Sequence, residues 1–250
     1  MTLCEEEITV AGLRTIAVGN RDATMLVILC HGFAMNPEDL APFAHSLGVS
    51  ARWLFPEAPL PAELEPGLPH GRSWWHIDPA LRLAALSCGP RDFAGVQPPD
   101  LAAARALLGA FVDAAFGLAD GRPVVLGGFS SGGMLAFDTQ LHSPRPISAL
   151  VLLSSTRIDW SDQQPLLAAS PLLGLPTLCT HGRADADLSF EAGLALRDAA
   201  TVAGADVTWL PFDGGHDIPL VAWRAVHRLL RAHEYNSSRL SADANTGPLE

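Results

Sequence analysis

The sequence predicts an α/β fold, a mainly parallel sheet with helices on both faces. Two observations carry that expectation. Short apolar runs alternate with longer stretches of helical periodicity, and strands alternating with helices build parallel sheets. Several of the runs are apolar without interruption, the mark of strands covered on both faces. Composition agrees: of 250 residues, 48% are hydrophobic and 17% charged. That is enough apolar material for a sizeable core and too little charge for a disordered chain.

In chain order, residues 8–10 and Leu13–Val18 read as opening strands around Gly12. Met25–Cys30 is an unbroken apolar run and reads as a buried strand. Residues 37–47 predict a helix and residues 52–55 the next strand. Residues 99–116 carry Leu101, Ala104, Leu108, Phe111, Val112 and Ala115, a 3.6-residue period that predicts a helix. Residues 124–126 predict a strand and 131–141 a helix directly behind it. Strands at 147–153 and 177–179, a helix at 190–203 and a strand at 207–210 follow. Residues 218–232 close the series, with Ile218, Val221, Ala222, Ala225 and Leu229 on one helical face. Two segments break the alternation. Residues 56–79 are rich in Pro and Gly and hold Trp74 and Trp75, and residues 156–175 hold Trp160. Both are expected to be loops that roof a pocket. Residues 1–235 then form a single domain, and the polar, aperiodic stretch 236–250 reads as a disordered tail.

Charge excludes several partners. The net charge is −11, and the 16 basic residues are all Arg without a cluster, which argues against nucleic acid and against a polybasic membrane dock. No apolar run approaches the roughly 20 residues that span a bilayer. The first seven residues, Met-Thr-Leu-Cys-Glu-Glu-Glu, are acidic where a signal peptide would be basic and then apolar. The sequence thus reads as that of a soluble, cytoplasmic protein. Cys4, Cys30, Cys88 and Cys179 form no CxxC pair. No zinc motif is present, so no metal is expected.

One motif carries chemistry. Behind the strand at 124–126 stands Gly127-Gly128-Phe129-Ser130-Ser131-Gly132-Gly133, and an apolar helix follows at once. Gly128-x-Ser130-x-Gly132 is the nucleophile-elbow pattern in the strand–turn–helix context that it requires. Such a turn exposes the Ser130 hydroxyl at a positive helix N-terminus, which favours a developing oxyanion. A serine needs a base, and the base needs an orienting acid. For this elbow they follow in the order Ser, acid, His. Among the downstream histidines, His216 stands on the Gly-rich loop Asp213-Gly214-Gly215-His216 behind the last strand, the expected place for the base. Asp185, behind the strand at 177–179, is the favoured acid; Asp187 is a near alternative and Asp159 a distant one. His181 is expected to pin that loop rather than to move protons. Met25–Cys30 runs into His31-Gly32-Phe33-Ala34. That segment is either a plain strand-ending turn or the second half of an oxyanion hole, in which Phe33 and Ser131 offer their backbone N–H groups.

These residues resemble the phospholipase/carboxylesterase family of α/β-hydrolases, which includes bacterial carboxylesterases and acyl-protein thioesterases. His31-Gly32-Phe33 is similar to the family's His-Gly-Leu segment, and Phe55-Pro56-Glu57-Ala58-Pro59 to its Phe-Pro-x-Ala-Pro segment. Ser73-Trp74-Trp75-His76-Ile77 is similar to Ser-Trp-aromatic-Asp-Ile, and Gly128 to Gly133 to the elbow Gly-Phe-Ser-Gln-Gly-Gly. His181-Gly182-x-x-Asp185 and Gly215-His216 match the acid and base segments. The resemblance implies an α/β-hydrolase fold without a large cap domain and a Ser130, Asp185, His216 triad. It also implies oxyanion donors at Phe33 and Ser131, no cofactor, and a small-molecule ester as substrate. Carboxylic ester hydrolysis through an acyl-enzyme is the activity implied, with thioesterase or lysophospholipase action as the near alternative. A non-catalytic, ligand-binding relative is the alternative from another class. The departures are Phe33 for Leu, Ser131 for Gln and His76 for Asp. Met35, Trp74 and Trp75, with Phe33, read as a bulky wall of the substrate pocket; for the two tryptophans, plain core packing is an equal reading.

Overall fold

The apolar runs become the strands of one twisted sheet. In the computed structural model, which describes residues 4–46, 48–65 and 67–244, eight strands pair: β1 (Glu5–Val10), β2 (Leu13–Val18), β3 (Met25–Cys30), β4 (Ala51–Pro56), β7 (Val124–Phe129), β8 (Ala149–Leu153), β9 (Pro176–Gly182) and β10 (Asp206–Phe212). Their order is β1-β2-β4-β3-β7-β8-β9-β10. Both pairs that involve β2 are antiparallel. The pairs from β4 through β10 are all parallel.

Side-chain alternation divides the core into two apolar layers. On β3, Leu26, Ile28 and Cys30 join Leu108 and Phe111 of α3 (Leu101–Ala119) and Leu135 of α4 (Ser131–His142). Met25, Val27 and Leu29 point the other way, towards Leu40 of α1 (Pro37–Ala44) and Val226 and Leu230 of α7 (Leu220–Ala244). Helices therefore cover both faces, as the uninterrupted apolar runs require. The remaining long helix, α6 (Phe190–Val202), begins at Ser189, whose side chain accepts a hydrogen bond from Ala192 N.

Four expectations need correction. Residues 56–79 are not a loop but hold the hairpin β5 (Leu60–Glu65) and β6 (Leu68–Ser73) and the start of α2 (Pro79–Ser87). Pro61 and Pro69 hide the strands, since proline cannot donate to a ladder. Helix α2 has no buried residue, so periodicity gave no sign of it, yet Asp78 caps it by accepting from Ala80 N and Leu81 N. Residues 156–175 contain a short helix, α5 (Trp160–Gln163), and a 3-10 turn, Gln164–Ala169. Helix α7 runs on to Ala244, across most of the stretch read as a tail; residues 245–250 lie outside those described. No Gly or Pro interrupts the chain between Pro219 and Gly247, which leaves the helix free to continue. Finally, α3 is long and apolar enough to cross a membrane, with mean hydropathy 1.6, contrary to the expectation from the sequence. Its Leu101, Ala104, Leu108, Phe111 and Val112 are buried in the core.

Candidate active site

The strand-to-helix turn between β7 and α4 holds Ser130 at φ 53° and ψ −123°, a conformation that L-residues rarely adopt. Two glycines make it possible. A Cβ on Gly128 would collide with the backbone of Gly132, and one on Gly132 with the carbonyls of Cys30 and His31. The turn is held from outside as well: Ser130 N donates to Leu153 O at 2.9 Å, and Ser155 Oγ donates to Ser130 O at 3.0 Å.

His216 follows β10 and Asp185 follows β9, and the two loops are tied together. Arg183 N donates to Phe212 O and Ala184 N to Gly214 O, both at 2.9 Å. His216 Nδ1 lies 2.7 Å from Asp185 Oδ2, and His216 Nε2 lies 2.9 Å from Ser130 Oγ. The other carboxylate oxygen, Oδ1, accepts from Asp187 N at 2.9 Å and Leu188 N at 2.8 Å. Burial, the largest influence on Asp185, pushes its pKa up, but the hydrogen bonds from His216 and the two backbone N–H groups outweigh it and leave the pKa lowered. An ionised carboxylate only accepts, so Nδ1 must donate to it and Nε2 is left to accept from the Ser130 hydroxyl. The Phe129 ring packs on the imidazole with centroids 4.8 Å apart. Three side chains from three strand ends thus form a continuous hydrogen-bonded chain.

The alternative acids have other partners. Asp187 pairs with Arg91 and Arg82. Asp159 accepts from Gln97 Nε2 and Ser161 Oγ. His181 is fully buried, which lowers its pKa, and its Nε2–H donates to Leu188 O at 3.1 Å. It fastens the Asp185 loop, as its place in the sequence suggested.

The loop after β3 is held by several hydrogen bonds. Ala58 N donates to His31 Nε2 at 3.1 Å, so the proton sits on Nδ1, which donates to Gly32 O at 2.7 Å. Burial lowers the His31 pKa to about 4 and keeps the ring neutral in that role. Strand β6 braces the same loop: Ala34 N donates to Arg72 O, and Arg72 N to Met35 O, each at 2.9 Å. The Phe33 and Ser131 N–H groups have no hydrogen-bond partner among the described residues. Both residues line a cavity of about 220 Å³ that also contains Ser130 and His216.

Met35 and Trp75 line that cavity, as expected. Trp74 does not. It is buried against His31, with ring centroids 5.4 Å apart, and its Nε1–H donates to His31 O at 2.8 Å. Sequence reasoning missed Ile77, Arg82, Arg91 and Phe93, all of which line the cavity. They belong to α2 and its flanks, where no periodic signal existed; the Asp78-Pro79 cap could have announced the helix. Among the described residues, no group of three or more His, Cys, Asp or Glu could hold a metal ion.

The family model described as phospholipase/carboxylesterase matches residues 11–234. The chain belongs to this family. Solved structures share its fold. Esterase PE8 is 22% identical, with a TM-score of 0.66 over 93% of this chain and 99% of that one. Zea mays acyl-protein thioesterase 2 is 19% identical, with a TM-score of 0.65 over 88% and 98%. The Bacillus cereus carboxylesterase is also 19% identical, with a TM-score of 0.62 over 88% and 94%. The family member described here therefore has the α/β-hydrolase fold. No protein of curated function is a significant match by sequence.

Proposed function

We propose that the protein is a serine hydrolase that cleaves carboxylic esters through an acyl-enzyme. The observation that carries this reading is His216, hydrogen-bonded to Ser130 Oγ on one nitrogen and to Asp185 on the other. His216 takes the hydroxyl proton as Ser130 attacks the ester carbonyl, and Asp185 stabilises the imidazolium and fixes its tautomer. The carbonyl oxygen becomes an oxyanion and is met by the N–H groups of Phe33 and Ser131. His216 then gives its proton to the leaving alcohol. In the second half it takes a proton from water as that water attacks the acyl-enzyme, and returns it to Ser130 Oγ as the acid leaves.

Thioesters run through the same steps with a thiol leaving, and the solved acyl-protein thioesterase of the same fold makes them the nearest second substrate class. A fluorophosphonate probe tests the reading: it should label the protein at Ser130 and leave Ser130→Ala and His216→Ala unlabelled. A folded protein whose Ser130 stays unlabelled, with no turnover of p-nitrophenyl esters or acyl thioesters of any chain length, would be a binding protein instead.

A further inference from the structure

We infer that the favoured ester carries a carboxylate on the part lodged in the catalytic cavity, held by the Arg82 guanidinium with Arg91 beside it. The inference rests on the ester chemistry proposed above and names its substrate class. Apart from the catalytic groups, the cavity wall is mostly apolar, with Met35, Ile77, Phe93 and Met134 among its residues. Into that wall the chain sets two guanidinium groups, only 13% and 14% exposed. One carboxylate of the wall, Asp187, serves both: Oδ1 accepts from Arg91 Nη2, and Oδ2 lies 3.5 Å from Arg82 Nη2. On the wall itself two cations face one anion; the ionised Asp185 lies behind His216, where it offsets the imidazolium that forms there during turnover.

The excess sits on Arg82. Its bond to Asp187 is its only side-chain hydrogen bond among the described residues, and its Nε is buried with no partner. Taking a guanidinium out of water is costly unless its N–H groups are paired. The Phe33 ring, 5.3 Å from the Arg82 guanidinium carbon, offsets part of that cost but accepts no in-plane hydrogen bond. Arg91 is fixed differently. Its N donates to Asp187 O at 2.8 Å, its O accepts from Ser189 N at 2.9 Å, and its guanidinium lies over Phe93. A planar fork with free N–H groups takes a carboxylate by two parallel bonds, and one monoanion balances the charge. The other side of this wall supports the same direction. There a groove of about 500 Å³ shares Arg82 and Arg91 but faces Asp78 and Asp92. Those carboxylates accept from the backbone at Ala80, Leu81 and Ala94 and repel a second anion. Arg82 lines both spaces, and the one that contains Ser130 lacks those two carboxylates.

The test compares matched esters under wild-type turnover, corrected for spontaneous hydrolysis. On the acyl side, the p-nitrophenyl half-esters of adipic and suberic acids are set against p-nitrophenyl hexanoate and octanoate. On the alcohol side, 3-carboxyphenyl hexanoate is set against phenyl hexanoate. In at least one pair kcat/KM should favour the charged member by about 10-fold or more, the scale of a charge-assisted hydrogen bond, and the preference should shrink with added salt. In Arg82→Gln the ratio of charged to neutral turnover should fall towards unity, with Arg82→Lys in between. If Arg82 only fastens α2 to the Asp187 loop, both rates drop together and the ratio holds, which would overturn the inference. So would neutral esters preferred in both pairs by a wild-type enzyme that turns over and labels at Ser130. No labelling and no turnover would instead defeat the ester chemistry itself.

Discussion

Replacing Asp185 by Asn tests the proposed tautomer control of His216 at its least replaceable atom. Oδ1 of Asp185 accepts two backbone N–H bonds, from Asp187 and Leu188. An asparagine fits the same space only if its carbonyl oxygen keeps those bonds, because an amide NH2 facing two N–H donors would leave all of them unpaired. The NH2 must then point at His216 Nδ1, where the carboxylate oxygen stood at 2.7 Å. Nδ1 becomes the acceptor, the proton moves to Nε2, and Nε2 can no longer accept from Ser130 Oγ. The expected loss in kcat is about four orders of magnitude, equivalent to about 5 kcal/mol of transition-state stabilisation. The fold should hold, since both backbone bonds survive. Steady-state turnover of p-nitrophenyl butyrate gives kcat, a thermal melt checks folding, and nitrogen NMR of His216 reports which ring atom carries the proton. Asp159→Asn is the matched control: Asp159 sits at φ 43°, where asparagine is well tolerated, and its Oδ1 bonds to Gln97 and Ser161 are reproducible by an amide oxygen. Asp187→Asn should cost far less than Asp185→Asn, because Asp187 touches neither His216 nor Ser130. A folded Asp185→Asn enzyme that keeps near wild-type kcat, or carries its His216 proton on Nδ1, would refute the reasoning.

Further outcomes follow from the same geometry. Ser130→Ala should lower kcat by about 10⁶. Ser131→Ala keeps its N–H and removes a buried, unpartnered hydroxyl, so its loss should stay well short of the roughly 10² expected for a missing oxyanion donor; equal damage from both would sink the backbone assignment. Gly132→Ala should cost more than the about 1–3 kcal/mol of ordinary overpacking, read from the urea midpoint, because its Cβ meets rigid carbonyls. Gly117→Ala, exposed in α3 with open space around it, should instead stabilise by about 0.5–1 kcal/mol. His31, lowered from 6.5 to about 4, takes up its proton in the unfolded chain at a higher pH than in the folded one. Stability is therefore full above pH 6.5 and falls by about 3 kcal/mol as pH drops through that window. His31→Gln, measured by denaturant titration at pH 7.5 and 5, should flatten the slope.

What could be read from the sequence follows from how each element is stabilised. The two-faced apolar runs of β3, β7 and β8 and the period of α3 were legible because both come from burial in a large core. The elbow was legible because only glycine fits at positions 128 and 132, so sterics wrote the site into the chain. Order and a place on the Gly-rich loop behind the last strand favoured His216, whereas order left Asp187, behind the same strand end as Asp185, a near alternative. Helix α2 and the β5–β6 hairpin were not legible. Neither buries a full face, so no period marks them, and their geometry is set by contacts distant in sequence, such as Arg72 with Met35 and Arg91 with Asp187. The choice for the two tryptophans needed three dimensions: neighbours in sequence, one lines the cavity and the other supports His31.

The strained turn and the loop after β3 form one mechanical unit. Ser130 is held on one side by β8, through Leu153 O and Ser155 Oγ, and on the other by the carbonyls of Cys30 and His31 closing on Gly132. His31 in turn grips Gly32 O and so orients the peptide that bears the Phe33 N–H. The nucleophile and the loop donor are therefore referenced to the same strand end, β3, and cannot drift apart without breaking core packing. His216 has a looser tether, through the β9 and β10 loops. A perturbation of the core beneath β3 should thus damage oxyanion binding and Ser130 placement together, whereas loosening the β9–β10 loops should detach the base and leave the elbow intact. Probe labelling measured against pH separates the two: the first kind of variant lowers labelling at every pH, and the second recovers it as alkali replaces the missing base.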